Sequence, residues 1–246
     1  LPTLCETLPR LVRQKILSRH TNDQKFRWQN KAYNLAVSMK QNADHKGFFG
    51  INMASTGSGK TIANARIMYG LADPNIGARF SIALGLRTLT LQTGQVYRDV
   101  LGLGDDDLAV MIGAPEVKTL FDQEEPSSNG SDSSQDIIPP DQHFDYQGMM
   151  MSDRSFKRWF DQTPSGKKLL SPPVLTCTID YLIQATECIR GGRHIPPLLR
   201  LMTSDLVLDE PDDFDIDDLH ALSRLVFYCG MLGGRILLSS ATIAPS

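Results

Sequence analysis

Residues 48–62 read FFGINMASTGSGKTI, and this stretch decides the fold. Phe48, Phe49, Ile51 and Met53 form a short apolar run without helical spacing, Ala54 to Thr61 are small, hydroxylated and glycine-rich, and Ile62-Ala-Asn-Ala-Arg-Ile-Met68 resumes with helix formers. That order is strand, loop, helix. Gly57 and Gly59 have no side chain, so the loop can adopt positive φ and turn successive N–H groups onto phosphate oxygens, with Ser55, Thr56 and Ser58 completing the cradle. The helix that starts near Lys60 adds unsatisfied N–H groups and the positive end of its dipole. Lys60 can then reach the β- and γ-phosphates of a nucleotide, and the Thr61 hydroxyl can ligate Mg²⁺. Against the G-x-x-x-x-G-K-[ST] pattern, Ala54 stands at the first glycine, where a small residue still permits close approach. The plain alternative is a glycine-rich turn before an ordinary helix.

A second landmark lies far downstream, at Leu206-Val-Leu-Asp-Glu-Pro-Asp212. A buried apolar strand that delivers two carboxylates at its C-terminal end can place Asp209 on the Mg²⁺ shell, while Glu210 polarises the water that attacks the γ-phosphate. The acids continue through Asp213, Asp215, Asp217 and Asp218. A calcium loop counted from Asp213 fails, because its sixth position is not glycine and Arg224 stands where the bidentate glutamate belongs. The later acids instead suit the start of a helix through Leu219 to Phe227. The run Arg235-Ile-Leu-Leu-Ser-Ser-Ala-Thr242 reads as a strand ending in hydroxyls, where Ser240 and Thr242 can bond the acidic cluster or simply close the strand.

Upstream, Phe26-Arg-Trp-Gln29 precedes the loop by a few tens of residues. A glutamine amide both donates and accepts, so Gln29 can read the N6 and N7 edge of adenine, and Phe26 or Trp28 can stack on the base. A surface glutamine beside a buried tryptophan is the alternative. Apolar spacing from Leu4 to Leu17 predicts a helix that Pro9 interrupts early.

Between the landmarks, Arg79 to Leu84 reads as a buried strand, followed by Gly85-Leu-Arg-Thr-Leu-Thr-Leu-Gln-Thr-Gly94 at a helix start. Arg87, Thr88 and Gln92 suit the phosphates of a nucleic-acid strand lying across the C-terminal ends of the β-strands; capping by Thr88 or Thr90 is the alternative. Leu108 to Ile112 is a further strand. Val174 to Thr178 is strand-like and Ile179 to Ile189 helical, which puts Thr176, Thr178 and Asp180 at a second such junction, with Asp180 also readable as a cap. Gly191-Gly-Arg193 and Pro196-Pro197 punctuate a loop before Leu198 to Met202.

The chain has 246 residues, 41% of them hydrophobic, enough for the core of one large α/β domain. A net charge of -3 gives no global pull toward nucleic acid, so such binding must come from a local surface. Cys5, Cys177, Cys188 and Cys229 include no C-x-x-C pair, which argues against a zinc site or a disulfide framework and for a reducing cytoplasm. No signal pattern opens the chain, and the most membrane-like window, 225–244, is broken by Arg235 and glycines. The chain reads as beginning and stopping mid-protein. Residues 122–143 are rich in Ser, Asp, Glu, Asn, Gly and Pro and read as a disordered surface insertion. Arg154 to Phe160 reads as a short basic helix.

In order, Gln29, ASTGSGKT at 54–61, RTLTLQTG at 87–94, DEPD at 209–212 and SAT at 240–242 resemble the motifs of the first RecA-like domain of a superfamily 2 helicase. More narrowly, FRWQNKA, GFFGINMASTGSGKT, GARFSIALGLRTLTLQTG, LGLGDDDLAVMIG, SDLVLDEPDDFDIDDL and LLSSAT resemble the helicase-nuclease of type I CRISPR systems, F subtype. The resemblance implies a P-loop NTPase fold, an open, mainly parallel sheet with helices on both faces and the phosphate-loop strand central. Residues 1–47 would be N-terminal helices carrying the adenine-reading glutamine, and 48–246 the nucleotide-binding core. It further implies a motor driven by ATP and Mg²⁺ that pulls single-stranded DNA 3′ to 5′ after recruitment by an RNA-guided surveillance complex, with a metal-dependent HD nuclease cutting the strand. Lys60 and Thr61 then contact phosphate and Mg²⁺, Asp209 and Glu210 serve metal and hydrolysis, Gln29 reads adenine, and Ser240 and Thr242 couple nucleotide state to movement.

Pro211 departs from the family pattern and removes a backbone donor beside the hydrolysis site. The second RecA-like domain, with its arginine finger, and the HD nuclease are not found in the 246 residues, so this chain alone should bind nucleotide weakly and hydrolyse it poorly. Two rival readings remain at the level of sequence: another superfamily 2 DNA translocase, and a nucleotide-gated docking module without turnover.

Overall fold

The computed structural model describes residues 8–113, 142–145, 169–187, 194–211 and 219–242. Seven strands form a single sheet: β1 (Phe49–Met53), β2 (Phe80–Leu84), β3 (Leu108–Gly113), β4 (Gln142–Asp145), β5 (Val174–Thr178), β6 (Asp205–Asp209) and β7 (Ile236–Ser240). Their spatial order is β1-β7-β6-β2-β5-β3-β4. All pairings are parallel except β3 with β4. The helices are α1 (Lys15–Ser18), α2 (Arg27–Lys46), α3 (Lys60–Leu71), α4 (Arg87–Leu101), α5 (Ile179–Glu187), α6 (Ile195–Thr203) and α7 (Leu219–Met231).

Strands covered on both faces take largely apolar or small sequence, and every residue of β2 and β5 and all of β6 but its first is buried. The connections that step from β1 to β2 and from β2 to β3 carry α3 and α4 on one face, over Met68, Leu71, Phe80, Ile82, Tyr97 and Leu101. Those that step back toward β1 carry α5, α6 and α7 on the other, over Leu175, Leu182, Leu201, Leu208 and Leu225. A uniform crossover hand produces that division. The result is the open α/β sheet with helices on both faces that the sequence predicts.

Four expectations change. Among the described residues β1 lies at the edge of the sheet, not its centre, with Phe49, Ile51 and Met53 each more than half exposed. Residues 4–7 of the expected N-terminal helix lie outside the described residues; from Leu8 on, Leu8 and Leu11 are buried, Leu11 pairs with Ala78 as an isolated antiparallel bridge, and helix in the described part of 8–17 begins only at Lys15, because tertiary pairing overrides the local spacing. Pro196 and Pro197 open α6, in a first turn whose N–H groups need no intrahelical partner. Residues 142 and 143 of the expected insertion belong to β4. The rest of 122–143, the basic stretch 154–160 and the acids 212–218 lie outside the described residues.

Two buried arginines hold the segment before β5. Arg200 of α6 donates to the carbonyls of Pro172 (2.5 Å) and Pro173 (2.9 Å), and Arg79 donates to those of Leu170 (2.5 Å) and Pro172 (3.0 Å). Guanidinium groups with five donors can serve several carbonyls of such a segment at once. No helix among the described residues is long and apolar enough to cross a membrane.

Candidate nucleotide and metal site

The loop after β1 begins beside β7, where the Ala54 N–H donates to the Ser240 carbonyl at 3.4 Å. Ser58 closes it, its N–H and hydroxyl both donating to the Ser55 carbonyl, at 3.2 and 2.6 Å. Gly57 (φ 73°) and Gly59 (φ 85°) are left-handed, the conformation that glycine adopts without a Cβ penalty. A Cβ on Gly59 would also stand 2.6 Å from Gln29 Nε2. Ser55, Thr56 and Gly57 are exposed, whereas Lys60, the first residue of α3, is buried.

The segment 26–29 holds this loop from the side. Gln29 Nε2 donates to the Gly59 carbonyl at 3.1 Å, and Trp28 Nε1 donates to the Ser58 carbonyl at 3.1 Å. Phe26 is half-buried near Gly59. Trp28 is thereby tied to the loop backbone, which leaves Phe26 as the aromatic open to stacking. Gln29 Oε1 accepts from Arg66 at 3.4 Å. One amide N–H and one oxygen lone pair of Gln29 remain beyond these two bonds.

Opposite the loop, β6 ends on buried Asp209, and Glu210 follows at φ 53°, a left-handed angle on a residue that is not glycine. Strain of that kind collects at functional positions. Glu210 is pinned on three sides: Lys60 Nζ pairs with its Oε1, the Ala241 N–H donates to its Oε2 at 3.3 Å, and its own N–H donates to the Ser239 carbonyl at 2.7 Å. Burial raises the Asp209 carboxyl above its ordinary range; the Ser239 hydroxyl opposes this, Glu210 adds to it, and Lys60 and Asn64 lower it. Tyr97 Oη donates to the Thr61 carbonyl at 3.0 Å, and burial, reinforced by Asp209, holds its phenol well above the usual value.

These groups fit a nucleotide with a divalent cation. The loop offers left-handed glycines and a lysine, and the Thr61 hydroxyl and Asp209 carboxylate are hard oxygen donors of the kind Mg²⁺ takes. The Ser240 hydroxyl accepts the Thr242 N–H at 3.0 Å, and the link to Glu210 runs through the backbone of Ala241.

Arg87, Thr88 and Gln92 are exposed on the first turns of α4, Thr178 is buried at the end of β5, and Asp180 is exposed on the first turn of α5. No side chain caps α4, and the Thr90 hydroxyl instead donates to the Leu86 carbonyl at 3.0 Å. Leu84, the last residue of β2, is in register with both Thr178 and Asp209. Both sets of residues therefore occupy one edge of the sheet, side by side.

No family model matches the chain. Over its full length, however, it is 55% identical to the CRISPR-associated nuclease/helicase Cas3, subtype I-F/YPEST, of Pseudomonas aeruginosa, and 51% identical to the protein of the same description in Pectobacterium atrosepticum. The chain belongs to the Cas3 subtype I-F family. It spans 23% of the length of each of those Cas3 relatives. Among solved structures, T. fusca Cas3 with AMPPNP superposes over 96% of this chain and 23% of its own, with a TM-score of 0.58 at 16% identity. T. fusca Cas3 with ATP gives a TM-score of 0.59 over 97% of this chain and 24% of its own, also at 16% identity. At that identity the likeness shows the fold.

Asn64, Tyr97, Trp28 as a loop clamp and Ala241 are the members of this Cas3 site that sequence reasoning missed. Each acts through a partner distant in sequence, so no local pattern marks it. A buried-sized helix carrying Asn64 one turn after Lys60 was the only available signal.

Proposed function

We propose that this chain is the first RecA-like motor domain of a Cas3 helicase-nuclease, binding ATP with Mg²⁺ and coupling hydrolysis to movement along single-stranded DNA. The observation that carries the reading is the meeting of Lys60 with Glu210, beside Asp209, at the C-terminal edge of the sheet. In this reading Lys60 transfers its ammonium from Glu210 to the phosphates, and Thr61 and Asp209 hold the cation. Bound Mg²⁺ neutralises phosphate charge. Glu210, released from Lys60, orients and polarises the attacking water, and its contact with the Ala241 N–H passes the change to the Ser240–Thr242 turn. Gln29 reads adenine while gripping Gly59, and Phe26 stacks. Arg87, Thr88, Gln92, Thr178 and Asp180 contact DNA along the adjoining part of the edge.

The Cas3 relatives carry nuclease/helicase in their names, and the T. fusca structures are named with AMPPNP, ATP and ADP. These names support nuclease and helicase activity and nucleotide binding in the relatives; the same proposal assigns to the whole protein a second RecA-like domain, an HD nuclease and recruitment by an RNA-guided surveillance complex, in the cytoplasm. The test is steady-state ATPase of the intact protein with and without single-stranded DNA. Lys60→Ala should abolish the DNA-stimulated rate, and an unchanged rate would sink the assignment.

A further inference from the structure

Asn64 and Asn52 are buried amides that none of the motifs uses. Asn64 lies on α3, one helical turn after Lys60 and fully buried, while Asn52 lies on β1 and is 7% exposed. Asn52 Nδ2 donates to Asn64 Oδ1 at 2.7 Å, and Asn64 Nδ2 donates to Asp209 Oδ1 at 3.3 Å. The sense of this relay follows from the acceptor at its end. An ionised carboxylate only accepts, so Asn64 must present its nitrogen to Asp209; its oxygen then faces Asn52, which must present a nitrogen in turn.

We propose that Asn64 is a positioning residue for the metal-binding carboxylate, and that Asn52, donating to its oxygen, reinforces the orientation of its amide. The inference rests on the reading of Asp209 as a Mg²⁺ ligand. Asn64 engages Asp209 Oδ1 and so helps fix the rotation of a carboxylate that the Ser239 hydroxyl also faces. Because Lys60 and Asn64 share one turn of α3, the helix that carries the phosphate-binding lysine also sets the carboxylate. A shift of α3 therefore moves both together. Outer partners of this kind govern metal affinity by about 10- to 100-fold.

Chemistry at Asn52 separates orientation from packing. Asn52→Leu removes a donor but leaves Asn64 free to keep its nitrogen on Asp209. Asn52→Asp offers Asn64 only an acceptor, which reverses the Asn64 amide and turns its oxygen toward Asp209. In the intact protein, binding of a fluorescent ATP analogue is titrated with Mg²⁺, and separately measured in EDTA. Asn52→Asp should raise the half-saturating Mg²⁺ concentration about tenfold or more, Asn52→Leu less than about threefold, and neither should change binding in EDTA by more than about twofold. Equal losses in the two variants, or losses in EDTA that match those in Mg²⁺, would assign the amides to packing and overturn the proposal. So would wild-type behaviour in both. If Asn52→Asp does not fold, Asn64→Leu carries the test, with the same Mg²⁺-specific shift expected and an unchanged Mg²⁺ titration overturning it. Wild-type protein whose nucleotide binding ignores Mg²⁺ would instead overturn the reading of Asp209 itself.

Discussion

Lys60 Nζ and Glu210 Oε1 form an ion pair across 150 positions of sequence, joining the phosphate loop to the end of β6. In the proposed function, the lysine assigned to phosphate is thus held by the carboxylate assigned to the attacking water. Removing the carboxylate should free the lysine. For Glu210→Gln, nucleotide affinity should rise about fivefold, the equivalent of about 1 kcal/mol for this mostly buried pair, while turnover falls at least a hundredfold. Equilibrium titration beside steady-state ATPase checks both arms, and a weakened affinity would contradict the competition.

Gly59 and Gly57 share a left-handed backbone but not a neighbourhood. A Cβ at Gly59 meets Gln29 Nε2 at 2.6 Å, whereas one at Gly57 meets nothing within 4 Å. Gly57→Ala should cost about 1 kcal/mol of backbone strain and keep the segment 26–29 in place. Gly59→Ala should cost more and displace Gln29, with loss of nucleotide binding. Melting temperatures and nucleotide titrations of the two variants provide the comparison.

Gly94 lies inside α4, where alanine would ordinarily gain about 1 kcal/mol of helix propensity. Here its Cβ would stand 2.5 Å from Val110 Cγ2, so Gly94→Ala should destabilise by about 1–3 kcal/mol through overpacking. Combining it with Val110→Ala should recover much of that loss. Additive costs in a double-mutant cycle would show that the close approach of α4 to β3 is not the reason for the glycine.

Burial raises the Asp205 carboxyl above its ordinary value, and its ion pair with Arg235 only partly opposes this. A carboxyl whose folded pKa is raised contributes stability that is complete below its unfolded pKa and lost as pH rises through its folded pKa. Asp205→Asn, which imitates the neutral form, should therefore gain melting temperature relative to wild type as pH rises from about 4 to 7. A difference that stays constant across this range would mean that the carboxyl titrates no differently in the fold.

The strand-loop-helix at 48–62 and the acidic strand end at 209–210 were legible because each is a local pattern with a chemical reason. Strand order was not, since β1 pairs with β7 nearly 190 positions away and nothing in residues 48–53 says that an edge follows. Around Leu11 the expected helix gave way to a bridge with Ala78, a contact that spacing cannot show. Pro196 and Pro197 looked like a break because proline stops a helix interior, yet at the first turn it starts one. Within the site, the loop residues and carboxylates stood out by type. Asn64 did not, because a buried amide gains its meaning from Asp209, 145 positions on.

The edge position of β1 bears on handling the domain apart from the rest of the protein. Phe49, Ile51 and Met53 line one face of a strand that pairs with β7 on one side and, among the described residues, leaves its other side open, where backbone groups can template another chain. As a free fragment it should be adhesive, self-associating through this strand as its concentration rises. The same stickiness makes β1 the place where a neighbouring segment of a longer polypeptide would contribute most to solubility.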